Sequence, residues 1–352
     1  MNPDRALLRI LDASLNRATE GLRVVEDYVR FVLDDAHLTE QLKRLRHDLA
    51  AAGAALPLPE RHAVRDTQQD VGTAVTTPSE TRRADAWDVC VASLERVKQS
   101  LRSLEEFGKV VAPELGAKFE AIRYQLYTLE AATGRTVDAV ERLAAVRLYV
   151  LIDGRESEAN FTALVQQLVA ARVGAIQFRD KRLSDQQLIA RARLLKAASR
   201  RQTALNSPDQ AWSGLFPLTI INDRPDVAAI VDADGVHLGR DDMSVKDARA
   251  IVGPRRLIGV STHSIEQAQA AVLAGANYLG VGPTFPSTTK NFDAFPGVEL
   301  LRQVAAEIRL TAFAIGGVTA KNIDEVLATG VARVAVSSAI TESPSPKTAA
   351  AE

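Results

Sequence analysis

The chain has 352 residues, 46% of them hydrophobic and 25% charged, which is the balance of an ordinary soluble globular protein. The formal net charge is −1, so no overall basic field favours nucleic acid as a partner. No apolar run approaches the ~18 residues of a membrane span, and the first ten residues lack the pattern of a secretory signal. The only cysteine, Cys90, excludes an internal disulfide. We therefore expect a cytoplasmic protein that binds neither nucleic acid nor membranes, and the sequence leaves open whether it forms a homo-oligomer.

Residues 1–135 are predicted to form an all-α domain whose role the sequence does not indicate. Apolar side chains recur every three or four residues along two stretches, which indicates two amphipathic helices. The first stretch contains Leu8, Leu11, Leu15, Ala18, Leu22, Val25, Val29 and Val32. The second contains Trp87, Val91, Leu94, Val97, Leu101, Leu104 and Val111. A third helix is predicted over Phe119 to Ala131, and the polar segment 53–83 is predicted to be a long loop.

The two amphipathic helices also resemble each other in sequence. SLNRATEGLRVVEDY (residues 14–28) aligned on SLERVKQSLRSLEEF (residues 93–107) gives identities at Ser, Leu, Arg, Leu, Arg and Glu. Either two helices rich in Leu, Arg and Glu align by chance, or a helical unit has been duplicated. The charged face of the first helix is compatible with a solvated face, an oligomer interface or a second site; it comprises Arg17, Glu20, Arg23, Glu26 and Asp27.

From about Ala144 onward, short β-rich runs alternate with helical runs. The predicted strands are 146–153, 175–181, 218–223, 235–239, 257–262, 278–283, 313–318 and 333–340. Alternation of this kind indicates a parallel sheet, and the strand count and domain length favour a closed (β/α)₈ TIM barrel over an open doubly wound sheet. We assign this α/β barrel to residues 144–341 and predict a disordered tail over residues 342–352.

Polar or glycine residues end most of these strands, at the end where such barrels carry their sites. In QFRDK, Gln177, Arg179 and Lys181 are spaced by two, so a strand directs all three to one face. Two cations and an amide on one inner face would be costly without an anion. The segment therefore predicts a bound phosphate or pyrophosphate. The alternative is a salt-bridge network with Asp180 or Asp223.

Acidic side chains follow the next two predicted strands. Asn222 and Asp223 end the third strand, and Asp242 follows the fourth. Carboxylates beside phosphates are the usual ligands of Mg²⁺, so Asp223 and Asp242 are predicted to bind this metal. Asp241 competes with Asp242 for the role. The alternative is that these aspartates cap the following helices.

A second phosphate site is predicted from the last three strand ends. The loop PTFPSTTKNFDAFPG (residues 283–297) has hydroxyls and a lysine that suit a phosphate, and the length of a lid that excludes water. The strands AIGGV and VSSAI follow, and loops at these positions of a barrel often bind phosphate through backbone N–H groups. His237 is interpreted as lining the barrel and His263 as a residue at a helix start.

Taken together, seven segments resemble the thiamine-phosphate synthase family, also called thiamine-phosphate pyrophosphorylase, in order and spacing. They are QFRDK, LTIINDR, ADGVHLGRDD, IGVSTH, YLGVGPTFPSTTK, AIGGV and VAVSSAI, within residues 144–340. The resemblance implies a transferase that joins 4-amino-2-methyl-5-hydroxymethylpyrimidine diphosphate to 4-methyl-5-(2-phosphoethyl)thiazole and releases pyrophosphate. The implied reaction is dissociative and assisted by Mg²⁺. The helical domain departs from the short form of the family and looks like the extension of some longer synthases.

The resemblance also implies roles for individual residues. Contacts to the pyrimidine diphosphate would come from Gln177, Arg179, Lys181, Asn222, Ser261 and Lys290. Of these, the residues acting in catalysis would be Arg179, Lys181, Ser261 and Lys290. Contacts to the thiazole phosphate would come from Ser287, Thr288, Thr289, Gly316, Gly317, Ser337 and Ser338. The Mg²⁺ ligands would be Asp223 and Asp242. Ser287 stands where the family usually has threonine, which keeps the hydroxyl.

Two other functions are weighed against the synthase. A thiazole tautomerase on the same barrel would need an acid–base residue and no metal, and proteins of that branch carry a histidine near the position of Pro283. A non-catalytic sensor of thiamine phosphates would not need the full set of leaving-group residues. Pro283 and the aspartate pair disfavour the first alternative. The intact cations and amide disfavour the second.

Overall fold

The computed structural model describes residues 5–65, 82–203, 217–286 and 295–352, and the chain divides into two compact units between Thr133 and Gly134. The first unit is helical. Its elements are α1 (Arg5–Tyr28), a π-helical turn (Val29–Leu33), α2 (Ala36–Gly53), α3 (Leu58–Ala63), α4 (Ala86–Val111) and the first part of α5 (Pro113–Arg142). Two predictions are corrected here: α3 lies within the predicted loop 53–83, and α5 is longer than the predicted third helix.

The first unit is held together by the two apolar stripes. α1 buries Leu11, Leu22 and Val25 completely, and it packs against α4. Aspartates set two helix starts: the Asp35 carboxylate accepts a hydrogen bond from Leu38 N at 2.7 Å in α2, and Asp85 does the same for α4. Each cap satisfies a backbone N–H that the helix itself leaves without a partner. Within the described ranges, no helix combines the length and apolar character that a membrane span requires.

The two helices that resemble each other also carry equivalent buried ion pairs. Glu26 of α1 and Glu105 of α4 occupy matching positions of the alignment, and both are almost fully buried. Glu26 accepts from Arg46 of α2 at 2.8 Å, and Glu105 accepts from Arg123 of α5 at 2.8 Å. Each glutamate thus pairs with an arginine of the next long helix. This shared arrangement favours duplication over chance similarity.

The Glu105–Arg123 pair leads to a stability prediction. Replacing Arg123 by methionine leaves the Glu105 carboxylate buried with only two partly exposed partners, Arg102 and Lys109. We expect a loss of about 2–3 kcal/mol in the free energy of unfolding of the helical unit, somewhat below the usual ~3–5 kcal/mol for breaking a buried pair, because these partners remain. Urea denaturation followed by circular dichroism measures the loss.

The matched control is Arg102→Met, which removes an exposed cation from the same glutamate. It should lower the free energy of unfolding by at most about 1 kcal/mol. Equal losses of the free energy of unfolding in Arg123→Met and Arg102→Met would contradict the inference that burial makes the Arg123 ion pair the stronger of the two.

The second unit is a closed parallel barrel with strand order β1 to β8. Its strands are β1 (Leu148–Ile152), β2 (Ala175–Phe178), β3 (Leu218–Asn222), β4 (Gly235–Leu238), β5 (Leu257–Thr262), β6 (Tyr278–Val281), β7 (Ala312–Ile315) and β8 (Val334–Val336). The intervening helices are α6 (Glu158–Ala170), α7 (Asp185–Thr203), α8 (Pro225–Ile230), α9 (Val245–Val252), α10 (Ile265–Leu273), α11 (Gly297–Glu307) and α12 (Ile323–Leu327). The predicted TIM barrel after a helical region is confirmed, and the open sheet is excluded.

Alternating side chains divide the barrel into an inner core and an outer layer. Inside, Tyr149, Tyr278 and Phe313 pack edge to face with ring centroids 5.3–5.8 Å apart. Outside, Phe178 of β2 packs on Phe161 of α6 at 5.2 Å. Aromatic rings therefore fill the barrel interior below the polar strand ends.

The C-terminal segment corrects two predictions. The predicted strand 333–340 ends at Val336 and is followed by α13 (Ser338–Thr341), because the Ile340 and Thr341 N–H groups both donate to the Ser337 carbonyl. The predicted disordered tail contains α14 (Pro346–Ala351), which packs against α6. The Ser345 hydroxyl caps α14 by accepting from Thr348 N, and Pro346 at the first turn is buried.

Candidate active site

Charged side chains meet where β2, β3 and β4 end. Lys181, past the end of β2, places its Nζ 3.0 Å from Oδ2 of Asp223, which follows β3. Asp223 also lies close to Asp242, which follows β4, and to Asn222, and both lower its pKa. Asp242 is in turn held by the Gly239 N–H, which donates to its Oδ2 at 2.7 Å. Folding thus brings one cation, two carboxylates and an amide together from three strand ends.

The two carboxylates crowd each other. Burial raises the pKa of Asp242, and its contact with Asp223 raises that pKa further. Burial also acts to raise the pKa of Asp223, but hydrogen bonds with Asp242 and Lys181 outweigh it and hold the pKa below its ordinary value. The pair therefore places two carboxylates close together, and a divalent cation would relieve their repulsion.

This acid pair fits Mg²⁺, which usually takes one or two carboxylates and completes its shell with water and phosphate oxygens. Acidic, histidine and cysteine side chains do not gather in threes anywhere in the described ranges, so such a site would depend on those outside ligands. Asp241 and Asp242 are both exposed, but the contacts to Asp223 and Gly239 come from Asp242. The geometry therefore favours Asp242 over Asp241 as the ligand.

Arg179 is the cation that the salt-bridge alternative does not explain. Its neighbour Asp180 is engaged elsewhere, accepting from Gly154 N at 3.0 Å and pairing with Arg182 at 2.8 Å. The Arg182 guanidinium lowers the pKa of Asp180 to about 2. In the part of the chain that the structure describes, no carboxylate forms an ion pair with Arg179. The half-buried guanidinium is thus available to an anionic ligand, whereas Lys181 is paired with Asp223.

Below these charges, five side chains form a continuous series of hydrogen bonds across the barrel, which we name the interior chain. Gln177 Nε2 donates to Tyr149 Oη at 2.7 Å, and Tyr149 Oη lies 2.9 Å from Tyr278 Oη. Tyr278 Oη lies 3.2 Å from His237 Nδ1, and His237 Nε2 lies 3.0 Å from Ser261 Oγ. Burial lowers the pKa of His237 to about 4, so the imidazole is neutral near pH 7.

Sequence reasoning missed Tyr149 and Tyr278, because a tyrosine inside an apolar strand is read as core. The available signal was the hydroxyl, since a buried tyrosine normally needs a hydrogen-bond partner. His237 lines the barrel as expected, and His263 immediately precedes Ser264, the cap of α10, with its imidazole against the Gly282 carbonyl.

The ends of β7 and β8 also form a close-packed corner. Gly316 and Gly317 have φ of 97° and 67°, and the Gly316 carbonyl accepts from Phe285 N at 2.9 Å. The Ser337 hydroxyl donates to a carbonyl of β1 at 3.0 Å, and Ser338 begins α13 at the surface. The remaining predicted contacts lie outside the described residues; they are Ser287, Thr288, Thr289 and Lys290.

A closed (β/α)₈ barrel with an acid pair, an available guanidinium and a glycine-rich corner at the carboxyl ends of its strands is typical of barrel enzymes that act on phosphorylated substrates. The comparisons with known proteins narrow this class. A family model described as thiamine monophosphate synthase matches residues 148–340, and one described as the ThiD2 family matches residues 9–132.

Individual relatives agree with the family models. A thiamine-phosphate synthase of Rhodopirellula baltica is 44% identical over 96% of this chain and 88% of its own length. One of Synechocystis is 38% identical over 99% of this chain and 95% of its own. The solved thiamine phosphate pyrophosphorylase from Pyrococcus furiosus covers 58% of this chain and 92% of its own, with a TM-score of 0.50 and 33% identity. The chain belongs to the thiamine-phosphate synthase family and is a transferase of thiamine biosynthesis.

Proposed function

We propose that the enzyme joins 4-amino-2-methyl-5-hydroxymethylpyrimidine diphosphate to 4-methyl-5-(2-phosphoethyl)thiazole. The products are thiamine phosphate and pyrophosphate. The observation that carries this assignment is the half-buried Arg179 without a carboxylate partner in the described residues, next to the Asp223–Asp242 pair. A planar guanidinium beside a metal-type acid pair suits a diphosphate better than it suits an uncharged group.

The diphosphate would occupy the charged strand ends. Mg²⁺, when bound by Asp223 and Asp242, would neutralise negative charge on the departing pyrophosphate. Arg179 would hold the same group through its fork of N–H donors. Lys181, 3.0 Å from Asp223, would add its charge to the binding of the phosphate oxygens. Lys290, outside the described residues, is proposed to add a further cation.

The reaction needs charge stabilisation more than it needs a base. The C–O bond to the pyrimidine methylene breaks and its electron pair leaves with pyrophosphate, giving a methylene cation. The thiazole nitrogen then donates its lone pair to form the C–N bond, so no proton is transferred. Gln177, Asn222 and Ser261 would hold the pyrimidine in place during this step. Preorganised donors aimed at the developing charge supply most of the acceleration in such a site.

The thiazole phosphate would lie at the corner formed by β7 and β8. The backbone there is close-packed, since a Cβ on Gly317 would lie 2.5 Å from the Pro286 carbonyl oxygen. The other described residues proposed for this corner are Gly316, Ser337 and Ser338, and backbone N–H groups at such ends bind phosphate well. The hydroxyls of Ser287, Thr288 and Thr289, outside the described residues, are proposed to complete this site.

This packing leads to a prediction for Gly317→Ala. The variant should push the segment Phe285–Pro286 away and raise KM for the thiazole phosphate about tenfold or more, because even small misplacements of binding groups are costly. Gly253→Ala is the matched control, since Gly253 also has a positive φ but has nothing within 4 Å of an added Cβ. Both variants should lose about 1–3 kcal/mol of stability to the positive φ, and Gly317→Ala should lose more because its Cβ also meets backbone atoms. An unchanged KM in Gly317→Ala would contradict the assignment of this corner.

The cellular location remains a prediction. A cytoplasmic protein fits the free, buried Cys90.

The test of the proposed function is pyrophosphate release by the full-length protein. Release should require the pyrimidine diphosphate, the thiazole phosphate and Mg²⁺ together, and it should stop when any of the three is omitted or when the metal is chelated. Binding of either substrate without release would favour the sensor alternative. Release without metal would contradict the role given to the acid pair.

A further inference from the structure

The interior chain has a direction that is set by the orientation of the Gln177 amide. Gln177 Nε2 can only donate, so the Tyr149 hydroxyl accepts from it and donates its own hydrogen to the Tyr278 hydroxyl. The Tyr278 proton then goes to His237 Nδ1, which leaves the proton of the neutral ring on Nε2. Nε2–H donates to Ser261 Oγ. Every bond in the series thus points from Gln177 towards Ser261.

With Gln177 Nε2 facing Tyr149 Oη, as in this structure, the reverse direction leaves a buried group without a partner. It would require the amide to turn so that Oε1 faces Tyr149. If Ser261 donated to His237 and the ring donated to Tyr278, the Tyr278 proton would point at Tyr149. The Tyr149 hydroxyl would then have no acceptor, because the Gln177 amide nitrogen has no lone pair to offer. Tyr149 is only 2% exposed, so a hydroxyl donor without an acceptor there would be energetically unfavourable.

The barrel leaves space for this arrangement. An added Cβ on Gly259 would lie 2.0 Å from the Tyr278 ring, and one on Gly280 would lie 3.1 Å from the His237 ring. Gln177, Tyr149, Tyr278 and His237 are all buried, whereas Ser261 is partly exposed at the end of β5. The series therefore runs from the core of the barrel to the surface of the site.

We propose that Tyr149, Tyr278 and His237 are positioning residues that fix the hydrogen-bonding polarity of the substrate-binding pair Gln177 and Ser261. With the series directed as above, Gln177 Oε1 is left to accept a hydrogen bond and the Ser261 hydroxyl is left to donate one. Among the described residues, none donates to Gln177 Oε1 and none accepts from Ser261.

This polarity matches one class of heterocycle. An aminopyrimidine offers N–H donors on its exocyclic amine and a lone pair on its ring nitrogen, the complement of an acceptor and a donor. A 4-oxo pyrimidine in its lactam form reverses both groups. The interior chain would thus select the amino substrate over its oxo analogue, because mismatched polar groups would be left unpaired. This inference rests on the proposed function, which makes the aminopyrimidine diphosphate the substrate.

The test uses Tyr278→Phe in the full-length protein, because it cuts the series while keeping the aromatic ring. Loss of the orienting hydrogen bond should raise KM for the aminopyrimidine diphosphate about 5- to 10-fold and leave KM for the thiazole phosphate unchanged. The preference for the amino over the oxo substrate, measured as a ratio of kcat/KM values, should fall by a similar factor. Tyr149→Phe, which interrupts the series at its other end, should behave in the same way.

A double-variant comparison separates positioning from a merely structural effect. If Tyr278 acts through Ser261, adding Tyr278→Phe to Ser261→Ala should change KM by less than about twofold, because the group it orients is already absent. Tyr124→Phe, which removes a hydroxyl from an exposed tyrosine of the helical unit, should leave both KM values unchanged.

Independent effects of Tyr278→Phe and Ser261→Ala, or equal changes in both KM values, would overturn the inference while leaving the proposed function intact. Absence of pyrophosphate release by the unaltered protein would overturn the proposed function and this inference with it.

Discussion

Replacing Asp242 by alanine is expected to lower kcat for pyrophosphate release by about 10²–10³-fold, the usual effect of removing one preorganised group that stabilises transition-state charge. The contact of Asp242 with Asp223 and the Gly239 N–H donating to its Oδ2 hold this carboxylate in place. Without it, Asp223 keeps only the Lys181 ion pair and the contact with Asn222. The concentration of Mg²⁺ that gives half-maximal activity should therefore rise sharply in the variant.

Asp241→Ala is the matched control, because it removes the same charge one residue away and leaves the contacts of Asp242 with Asp223 and the Gly239 N–H in place. It should retain activity within about twofold, since an exposed charge that does not bind the metal contributes little. A Mg²⁺ titration of pyrophosphate release for both variants distinguishes the two aspartates. If Asp241→Ala lost as much activity as Asp242→Ala, both carboxylates would have to take part in binding the metal.

The barrel itself could be predicted from the sequence because eight apolar runs alternate with helical periods, and this pattern depends only on which faces are buried. The residues at which the strands end were predicted less accurately than the strands themselves. The strand predicted over 175–181 ends at Phe178, although the Arg179 N–H still donates to the Ile152 carbonyl at 2.9 Å. Past this point, Asp180 binds the backbone of Gly154 and Arg182 instead of a ladder partner. Such local competition by a side chain becomes visible only in three dimensions.

The charged residues and Gln177 of the candidate site were accessible to sequence reasoning, and the two tyrosines of the interior chain were not. Arg179, Asp223 and Asp242 stand out because charges rarely follow buried strands without a partner. Tyr149 and Tyr278 are aromatic and stand at apolar positions of their strands, so from the sequence both are typical core residues. The role of their hydroxyls depends on hydrogen-bond partners on other strands, between 28 and 129 residues away in the chain, and these partners cannot be identified from the sequence.

Replacing Arg179 by glutamine is expected to lower kcat/KM for the pyrimidine diphosphate by about 10²–10³-fold, because the guanidinium would hold the leaving pyrophosphate as its charge develops. No described carboxylate pairs with Arg179, so the change leaves no buried carboxylate without its ion-pair partner. The midpoint temperature of thermal unfolding should therefore stay nearly unchanged. Arg179→Lys should recover only part of the activity, since a point charge cannot reproduce a bidentate fork. Steady-state kinetics with each substrate varied in turn measures the loss.

Arg182→Gln provides the comparison for Arg179→Gln, because Arg182 lies three residues further along and is already paired with Asp153 and Asp180. Since its side chain is 72% exposed and its charge is neutralised within the protein, pyrophosphate release should stay within about twofold of the unaltered enzyme. Equal losses in the two variants would mean that general positive charge, rather than the guanidinium of Arg179, binds the diphosphate. A loss confined to Arg179→Gln, with KM for the thiazole phosphate unchanged, would place that guanidinium on the leaving group.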